Sequence, residues 1–279
     1  MNTWSSHLLR AGRFRLDGGS MFGIVPRAIW SRSVTPDDQN CIPLQTNCLL
    51  LENEGRRVLI EAGNGGKWSD KERTIYGLEH RTIETALEEV GVHTDQIDLV
   101  IVTHLHFDHA GGLTRRDDAG NLVPTFPRAD IVVQQQEWDD ARAGRSTMTG
   151  TYLSSHLEPI ADRIRGVSGS TTILDGIEVM PTPGHTWGHQ SVLVDSRDGP
   201  VCFPGDLLPT RNHLGRSWSM GYDMLPYETM LTKTALLERA VTEDWRLILD
   251  HEPGEAEFRI ERDEDRSWFT LVPDPTPRD

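Results

Sequence analysis

The chain has 279 residues, 37% of them hydrophobic, and a formal net charge of -15. A chain of this length buries most of the surface that its unfolded form exposes, so we expect one domain over residues 1–279. The negative charge argues against nucleic acid, whose phosphates bind clustered Lys and Arg. The N-terminus lacks an apolar signal segment and no run approaches eighteen apolar residues, so we expect a cytoplasmic protein without membrane contact.

The predicted elements are grouped and do not alternate strictly. In chain order they are strands 13–17, 47–52 and 57–61, helix 82–90, strands 98–103 and 129–134, helices 136–143 and 152–165, strands 171–174, 177–182, 191–195 and 201–204, helix 227–242 and strand 246–250. Strands flanked by helices in this way favour an α/β (α+β) protein with stacked sheets and helices outside. Segments 49–64 and 192–206 share a strand, turn and strand pattern, from either a duplicated half or similar turn chemistry.

A group of potential metal ligands follows predicted strand 98–103. The ten residues from Thr103 read Thr-His-Leu-His-Phe-Asp-His-Ala-Gly-Gly and place four ligands together: His104, His106, Asp108 and His109. Imidazole and carboxylate bind zinc, iron and manganese. On the irregular backbone after a strand, His104 and His106 would share one metal, while Asp108 and His109 would face a second position nearby. The alternative is a histidine-rich surface loop.

Three further residues stand at strand ends, in the same relation to their strands as His104. They are His185 after strand 177–182, Asp206 after strand 201–204, and His251 at the end of strand 246–250. His156 has no such placement and is expected at the surface.

These residues resemble the pattern of the metallo-β-lactamase fold superfamily, which is HxHxDH followed by a His, an Asp and a His. The resemblance covers about residues 47–251 and implies an αββα sandwich of two mixed β-sheets flanked by helices. It implies that the first metal is bound by His104, His106 and His185, the second by Asp108, His109 and His251, and both by Asp206. In the family pattern His185 is the ligand of its segment, which leaves His189 a structural role. Glu61-Ala62-Gly63 stands where the superfamily usually has Asp-Thr-Gly, and an acid there that orients a ligating histidine would tune the metal geometry.

The expected chemistry is hydrolysis. Two divalent ions, zinc first, with manganese, cobalt or iron as alternatives, would share a water across Asp206 and convert it to a bridging hydroxide. Asp108 is placed to orient that nucleophile or move its proton, so Asp108 and Asp206 are the predicted catalytic residues.

The substrate class follows from details around the ligands. Asp206 disfavours the β-lactamases of the superfamily, His106 disfavours the flavodiiron oxygen reductases, and the charge disfavours the ribonucleases. Segments 17–30 and 205–223 resemble YtnP-like quorum-quenching lactonases, grouped with methyl parathion hydrolases. The resemblance implies opening of lactones, N-acyl homoserine lactones among them, or cleavage of carboxylic esters. A phosphotriesterase or aryl-ester hydrolase and a non-catalytic metal-stabilised binding module are the alternatives.

Candidate substrate contacts come from the same segments. In the related lactonases a Tyr three residues after the bridging Asp helps to bind the lactone, but this chain has Pro209 there, and Tyr222 or His213 are candidates to replace it. An apolar pocket for a small ester or lactone is expected from Met21, Phe22, Trp30, His213, Trp218 and Tyr222. Loop residues of this kind also suit core packing or a homodimer surface, and both interpretations stay open.

Overall fold

Two β-sheets carry most of the chain in the computed structural model, which describes residues 3–263, 265 and 268–273. In chain order the strands are β1 (Ser5–Asp17), β2 (Cys41–Asn53), β3 (Arg56–Ile60), β4 (Leu99–Ile101), β5 (Thr114–Arg116), β6 (Leu122–Pro124), β7 (Asp130–Gln134), β8 (Ile164–Val167), β9 (Thr171–Leu174), β10 (Ile177–Pro181), β11 (Gln190–Ser196), β12 (Gly199–Phe203), β13 (Arg246–Ile248), β14 (Glu257–Asp263) and β15 (Trp268–Pro273). The helices are α1 (Gly18–Phe22), α2 (Arg27–Trp30), α3 (Asp70–Tyr76), α4 (Ile83–Glu89), α5 (Phe107–Ala110), α6 (Gln135–Ala143), α7 (Ser154–Leu157) and α8 (Pro226–Thr242).

Both sheets are mixed. The first has the order β1-β2-β3-β4-β7-β8, in which β1, β2 and β3 are antiparallel and the pairs from β3 to β8 are parallel. The second has the order β15-β14-β13-β12-β11-β10-β9, antiparallel except between β12 and β13. Strands β5 and β6 form a separate hairpin.

The sheets pack face to face because side chains alternate along each strand. Leu49 and Leu51 of β2 point inward and pack in one cluster with Val192 and Val194 of β11, whereas Leu50 points outward to a cluster that includes α4 and α6. Helix α8 covers the outer face of the second sheet. The predicted αββα sandwich is therefore confirmed. Within the described part of the chain, no helix is both long and apolar enough to cross a membrane.

The secondary structure differs from the sequence prediction in several places. The prediction lacks α1, α2, α3, β5, β6, β14 and β15, and two further differences have a local cause. The helix predicted at 152–165 is wrong: α7 is followed by the 3-10 helix Glu158–Arg163 and by β8, because Pro159 has no N–H to continue the helix. Strand β1 begins at Ser5, well before the predicted residue 13. The prediction missed this start because Gly12, with φ +128°, lies at a register shift that breaks the alternating pattern of side chains.

Candidate metal centre

The first group of potential ligands lies where β4, β10 and β12 end. His104, His106, His185 and Asp206 are buried, with one ligand atom of each within 4.8 Å of the others. His185 Nε2 lies 2.9 Å from His106 Nδ1 and 3.0 Å from Asp206 Oδ2, and His104 Nε2 lies 3.7 Å from the same oxygen. Tetrahedral ligands at zinc distances of about 2.0–2.1 Å are separated by roughly 3.3 Å. The spacing therefore fits one divalent cation.

The second group shares Asp206. The Nε2 atoms of His109 and His251 lie 3.2 Å apart, and Asp206 Oδ1 lies 3.2 Å from the Nε2 of His251. The fourth residue with a ligand atom within 4.8 Å of the others is Asp250, whereas the sequence pattern predicts Asp108 at this position. Asp108 Oδ2 lies 3.6 Å from His251 Nε2, on the side of the open cavity. Asp250 Oδ1 accepts the N–H of His251 at 3.0 Å, and its buried Oδ2 has no hydrogen-bond partner. Because Asp108 faces the cavity and Asp250 does not line it, we keep Asp108 as the predicted ligand.

Buried atoms in these groups lack any other partner. His104 Nε2 and Asp206 Oδ1 make no hydrogen bond, although buried polar atoms are nearly always paired. Burial, reinforced by neighbouring imidazoles, holds the pKa of His104 and of His106 well below the ordinary value, which keeps both rings in the neutral form that binds metal. The donor set therefore fits two divalent cations.

The far sides of the imidazoles are held by other residues. Asp223 Oδ1 lies 2.9 Å from His185 Nδ1, and the carbonyl oxygen of Gln45 lies 3.0 Å from His251 Nδ1. Such partners orient ligating rings and raise their basicity. Sequence reasoning missed Asp223, although it lies inside segment 205–223, because the contact joins residues that are distant in the chain.

A cavity of about 170 Å³ opens above both groups. His106, Asp108, His185, Asp206 and His251 form its base, and its walls are Leu16, Met21, Tyr76, Phe107, Met148, Thr149, Gly150, Thr151, Met220 and Tyr222. Of the described residues that line it, none is Lys or Arg. The wall is therefore mainly apolar and carries no cationic side chain other than histidine.

The predicted substrate residues divide into two sets. Met21 and Tyr222 line the cavity, whereas Phe22, Trp30 and Trp218 pack together behind Met21. His213 also lies outside the lining. Its Nδ1 lies 2.8 Å from Thr210 Oγ1, its Nε2 lies 2.8 Å from the carbonyl oxygen of Met21, and its ring stacks on Phe22. Both ring nitrogens of His213 are thus occupied by the protein.

Two other histidines are buried. His156, expected at the surface, is 2% exposed and lies against the ring of Trp68, so that expectation is wrong. His189 Nδ1 lies 2.9 Å from Thr182 Oγ1 and 3.0 Å from the carbonyl oxygen of the same residue. Burial lowers the pKa of His189 to about 3, in keeping with a neutral ring held inside the fold.

Residues 41–251 match the profile of the Metallo-beta-lactamase superfamily. The chain belongs to this superfamily. It is similar to an N-acyl homoserine lactonase from Bacillus sp., with 27% identity over 219 residues that cover 74% of this chain and 77% of the relative. The solved structure of a probable metal-dependent hydrolase from Staphylococcus aureus superposes with a TM-score of 0.88 and 27% identity, covering 100% of this chain and 99% of the other.

A more distant structure has the same fold. AidC, described as a dizinc quorum-quenching lactonase in complex with a product, superposes with a TM-score of 0.78, 16% identity and 99% coverage of both chains. The profile match, together with the similarity to the Bacillus lactonase, identifies the chain as a metallo-β-lactamase superfamily hydrolase.

Glu61 stands at the superfamily's usual Asp position, directly after β3, and is 2% exposed. Its Oε1 accepts the N–H of Thr103 at 2.7 Å, and its Oε2 lies 3.3 Å from His109 Nδ1. One carboxylate therefore contacts both the start of the ligand loop and a candidate ligand.

Proposed function

We propose that this chain is a dinuclear metal-dependent hydrolase that opens lactones or cleaves uncharged carboxylic esters, with N-acyl homoserine lactones as the leading substrate class. The cavity carries this proposal, because candidate metal ligands form its base and an apolar wall without Lys or Arg rises above them. A substrate with a remote carboxylate or phosphate would find no cationic side chain there. The similarity to the Bacillus lactonase supports the same class.

The residues take the following roles in the proposal. The first cation would be held by His104, His106 and His185, the second by Asp108, His109 and His251, and both by Asp206. Two divalent cations, with zinc as the proposed ion, would lower the pKa of a bound water and supply positive charge that stabilises the developing oxyanion.

Asp108 completes the reaction as the proton carrier. Its carboxylate accepts the proton of the attacking water and passes it to the leaving alkoxide oxygen, while the new C–O bond forms and the ester C–O bond breaks. A lactone thereby gives one hydroxy acid, and an open ester gives an acid and an alcohol. Tyr222, which shares the cavity wall, is our candidate contact for the substrate in place of the absent tyrosine at Pro209.

Metal analysis and a substrate panel test the proposal. The purified chain, loaded separately with zinc, manganese or cobalt, is assayed on hexanoyl homoserine lactone, paraoxon and nitrophenyl esters. We expect about two ions per chain and the highest kcat/KM on the lactone. Faster turnover of paraoxon would support a phosphotriesterase instead, and fewer than one ion per chain without turnover would support a binding module.

A matched pair of esters tests the wall. Nitrophenyl butyrate and nitrophenyl hemisuccinate have similar acyl lengths but differ by one carboxylate. Since the cavity offers no Lys or Arg, we expect kcat/KM to favour the uncharged ester by about tenfold or more, which corresponds to about 1.4 kcal/mol. Equal values would contradict the assignment of uncharged substrates.

A further inference from the structure

We propose that Glu137 is a positioning residue that holds the two loops of the first metal group at one separation and joins the cavity wall to them. The inference rests on the proposed function, since it concerns how this chain arranges its candidate ligands.

Glu137 lies in α6 and is fully buried. Its Oε1 accepts the N–H of Leu105 at 3.0 Å, and its Oε2 accepts the hydroxyl of Thr186 at 2.6 Å. Leu105 stands between His104 and His106, and Thr186 directly follows His185. One carboxylate therefore connects the two loops that supply every histidine of the first group.

A glycine brings the second loop close enough for this contact. An added Cβ on Gly188 would lie 2.2 Å from the backbone nitrogen of Glu137, much closer than real Cβ atoms approach. Only glycine lets loop 185–189 lie against the first turn of α6. The backbone contact and the side-chain hydrogen bonds thus hold the same two elements together.

The third donor links the wall of the cavity. The hydroxyl of Tyr152 donates to Glu137 Oε1 at 3.0 Å, and the Tyr152 ring lies 5.1 Å from the ring of His106. Tyr152 directly follows segment 148–151, which lines the cavity. Because all three donors belong to ligand loops or to the wall, the carboxylate is arranged to organise the site as well as to stabilise the fold.

Zinc affinity, measured by competition with a chelating dye on the full chain, tests the proposal. Glu137→Ala leaves the Leu105 N–H and the Thr186 hydroxyl without their acceptor. We expect zinc affinity to fall about 10–100-fold, the range for losing a residue that orients metal ligands. Glu137→Gln keeps an acceptor for Leu105 and Tyr152 and a polar group beside Thr186. We expect affinity within about threefold of the unmodified chain.

Trp138→Leu is the matched control. Trp138 lies on the same helix and in the core, so the change should lower Tm while zinc affinity stays unchanged. Tyr152→Phe removes only the link to the wall and should raise KM for the lactone about 3–10-fold at constant zinc affinity. If Glu137→Ala does not fold, Thr186→Val replaces it as the test. This variant removes one hydroxyl donor to Glu137 and should lower zinc affinity about 3–10-fold.

The outcomes separate the two proposals. Unchanged zinc affinity in Glu137→Ala, or in Thr186→Val where it replaces that variant, would overturn the positioning role while the hydrolase proposal stands. A loss in Glu137→Gln equal to that in Glu137→Ala would also overturn it, because hydrogen-bond geometry would then not be the cause. An unmodified chain that binds no zinc and hydrolyses no lactone would overturn the proposed function and this inference together.

Discussion

The two sheets approach the metal centre with matching units. The hairpin β2–β3 in the first sheet pairs in parallel with β4, and the hairpin β11–β12 in the second pairs in parallel with β13. A candidate ligand stands three residues after each parallel strand: His104 follows β4, and His251 follows β13. Equivalent strand ends therefore deliver a histidine from each sheet.

The acids that follow the two hairpins act differently. Glu61, directly after β3, hydrogen-bonds to Thr103 and contacts His109 from behind. Asp206, three residues after β12, points both oxygens among the ring nitrogens after a turn at Gly205, where φ is +58°. Similar backbone units thus place one acid as a support and the other as a shared candidate ligand.

Among the variants of these two acids, Asp206→Asn should have the largest effect on metal content and activity. Loss of the shared charge should lower the metal content below two ions per chain and the rate of hydrolysis by about 10³–10⁴-fold, since two bound cations would contribute several kcal/mol of transition-state charge stabilisation. Metal analysis and kcat/KM measure both. Asp195→Asn, an exposed residue of β11, is the control. A variant that keeps two ions and full activity would remove the distinction between the acids.

Asp108 and Asp250 are the two candidate carboxylate ligands for the second metal position. Asp108→Asn should lower kcat about 10²–10³-fold if Asp108 is the proton carrier that we propose, while the fold stays intact. Asp250→Asn keeps an acceptor for the His251 N–H and should lower kcat by about tenfold or less. Urea unfolding and steady-state kinetics compare the pair. The reverse order of effects on kcat would assign the second metal to Asp250.

Glu61 tests the supporting acid. Glu61→Gln should weaken metal binding about tenfold, because the amide still accepts from Thr103 but no longer offers a charge to His109. Glu61→Ala should also lower the unfolding free energy by about 1–3 kcal/mol, since the Thr103 N–H is then buried without an acceptor. Chelator competition and urea unfolding measure the two effects. A loss in Glu61→Gln as large as in Asp206→Asn would make Glu61 more than a support.

The features that could be predicted from the sequence are those that depend on where strands end. Stacked sheets with helices outside, and the positions of His104, His185 and His251 at strand ends, could be predicted because apolar runs locate the strands. The αββα sandwich and the complete ligand set were implied by the resemblance to the superfamily. Glu137 and Asp223 could not be predicted, since each acts across a long chain separation with no spacing of its own. The cavity wall was also only partly predicted, because Met and Trp in loops look alike whether they face the cavity or pack behind it.

Each half also has a lysine that donates to backbone carbonyl oxygens; Lys67 is half-buried and Lys233 is buried. Lys67 donates to the carbonyl oxygens of Gly111 and Thr114, and Lys233 donates to those of His213, Gly215 and Trp218. Burial lowers the pKa of each lysine to about 8. Lys233 is the cleaner test because it is 1% exposed and lies away from the candidate ligands.

Replacing Lys233 should have the smallest effect, a change in how the unfolding free energy depends on pH. Below pH 8 Lys233 is protonated in both states, and between about pH 8 and 10.5 the unfolded chain binds more protons, so the unfolding free energy should rise with pH by about 1–3 kcal/mol. Urea unfolding should show this rise in the unmodified chain and in Lys71→Met, which changes an exposed lysine of α3. The rise should be smaller in Lys233→Met, where, of Lys67 and Lys233, only Lys67 remains. Equal slopes in all three would show that the carbonyl oxygens compensate for burial and leave the ammonium as favourable inside the fold as in water.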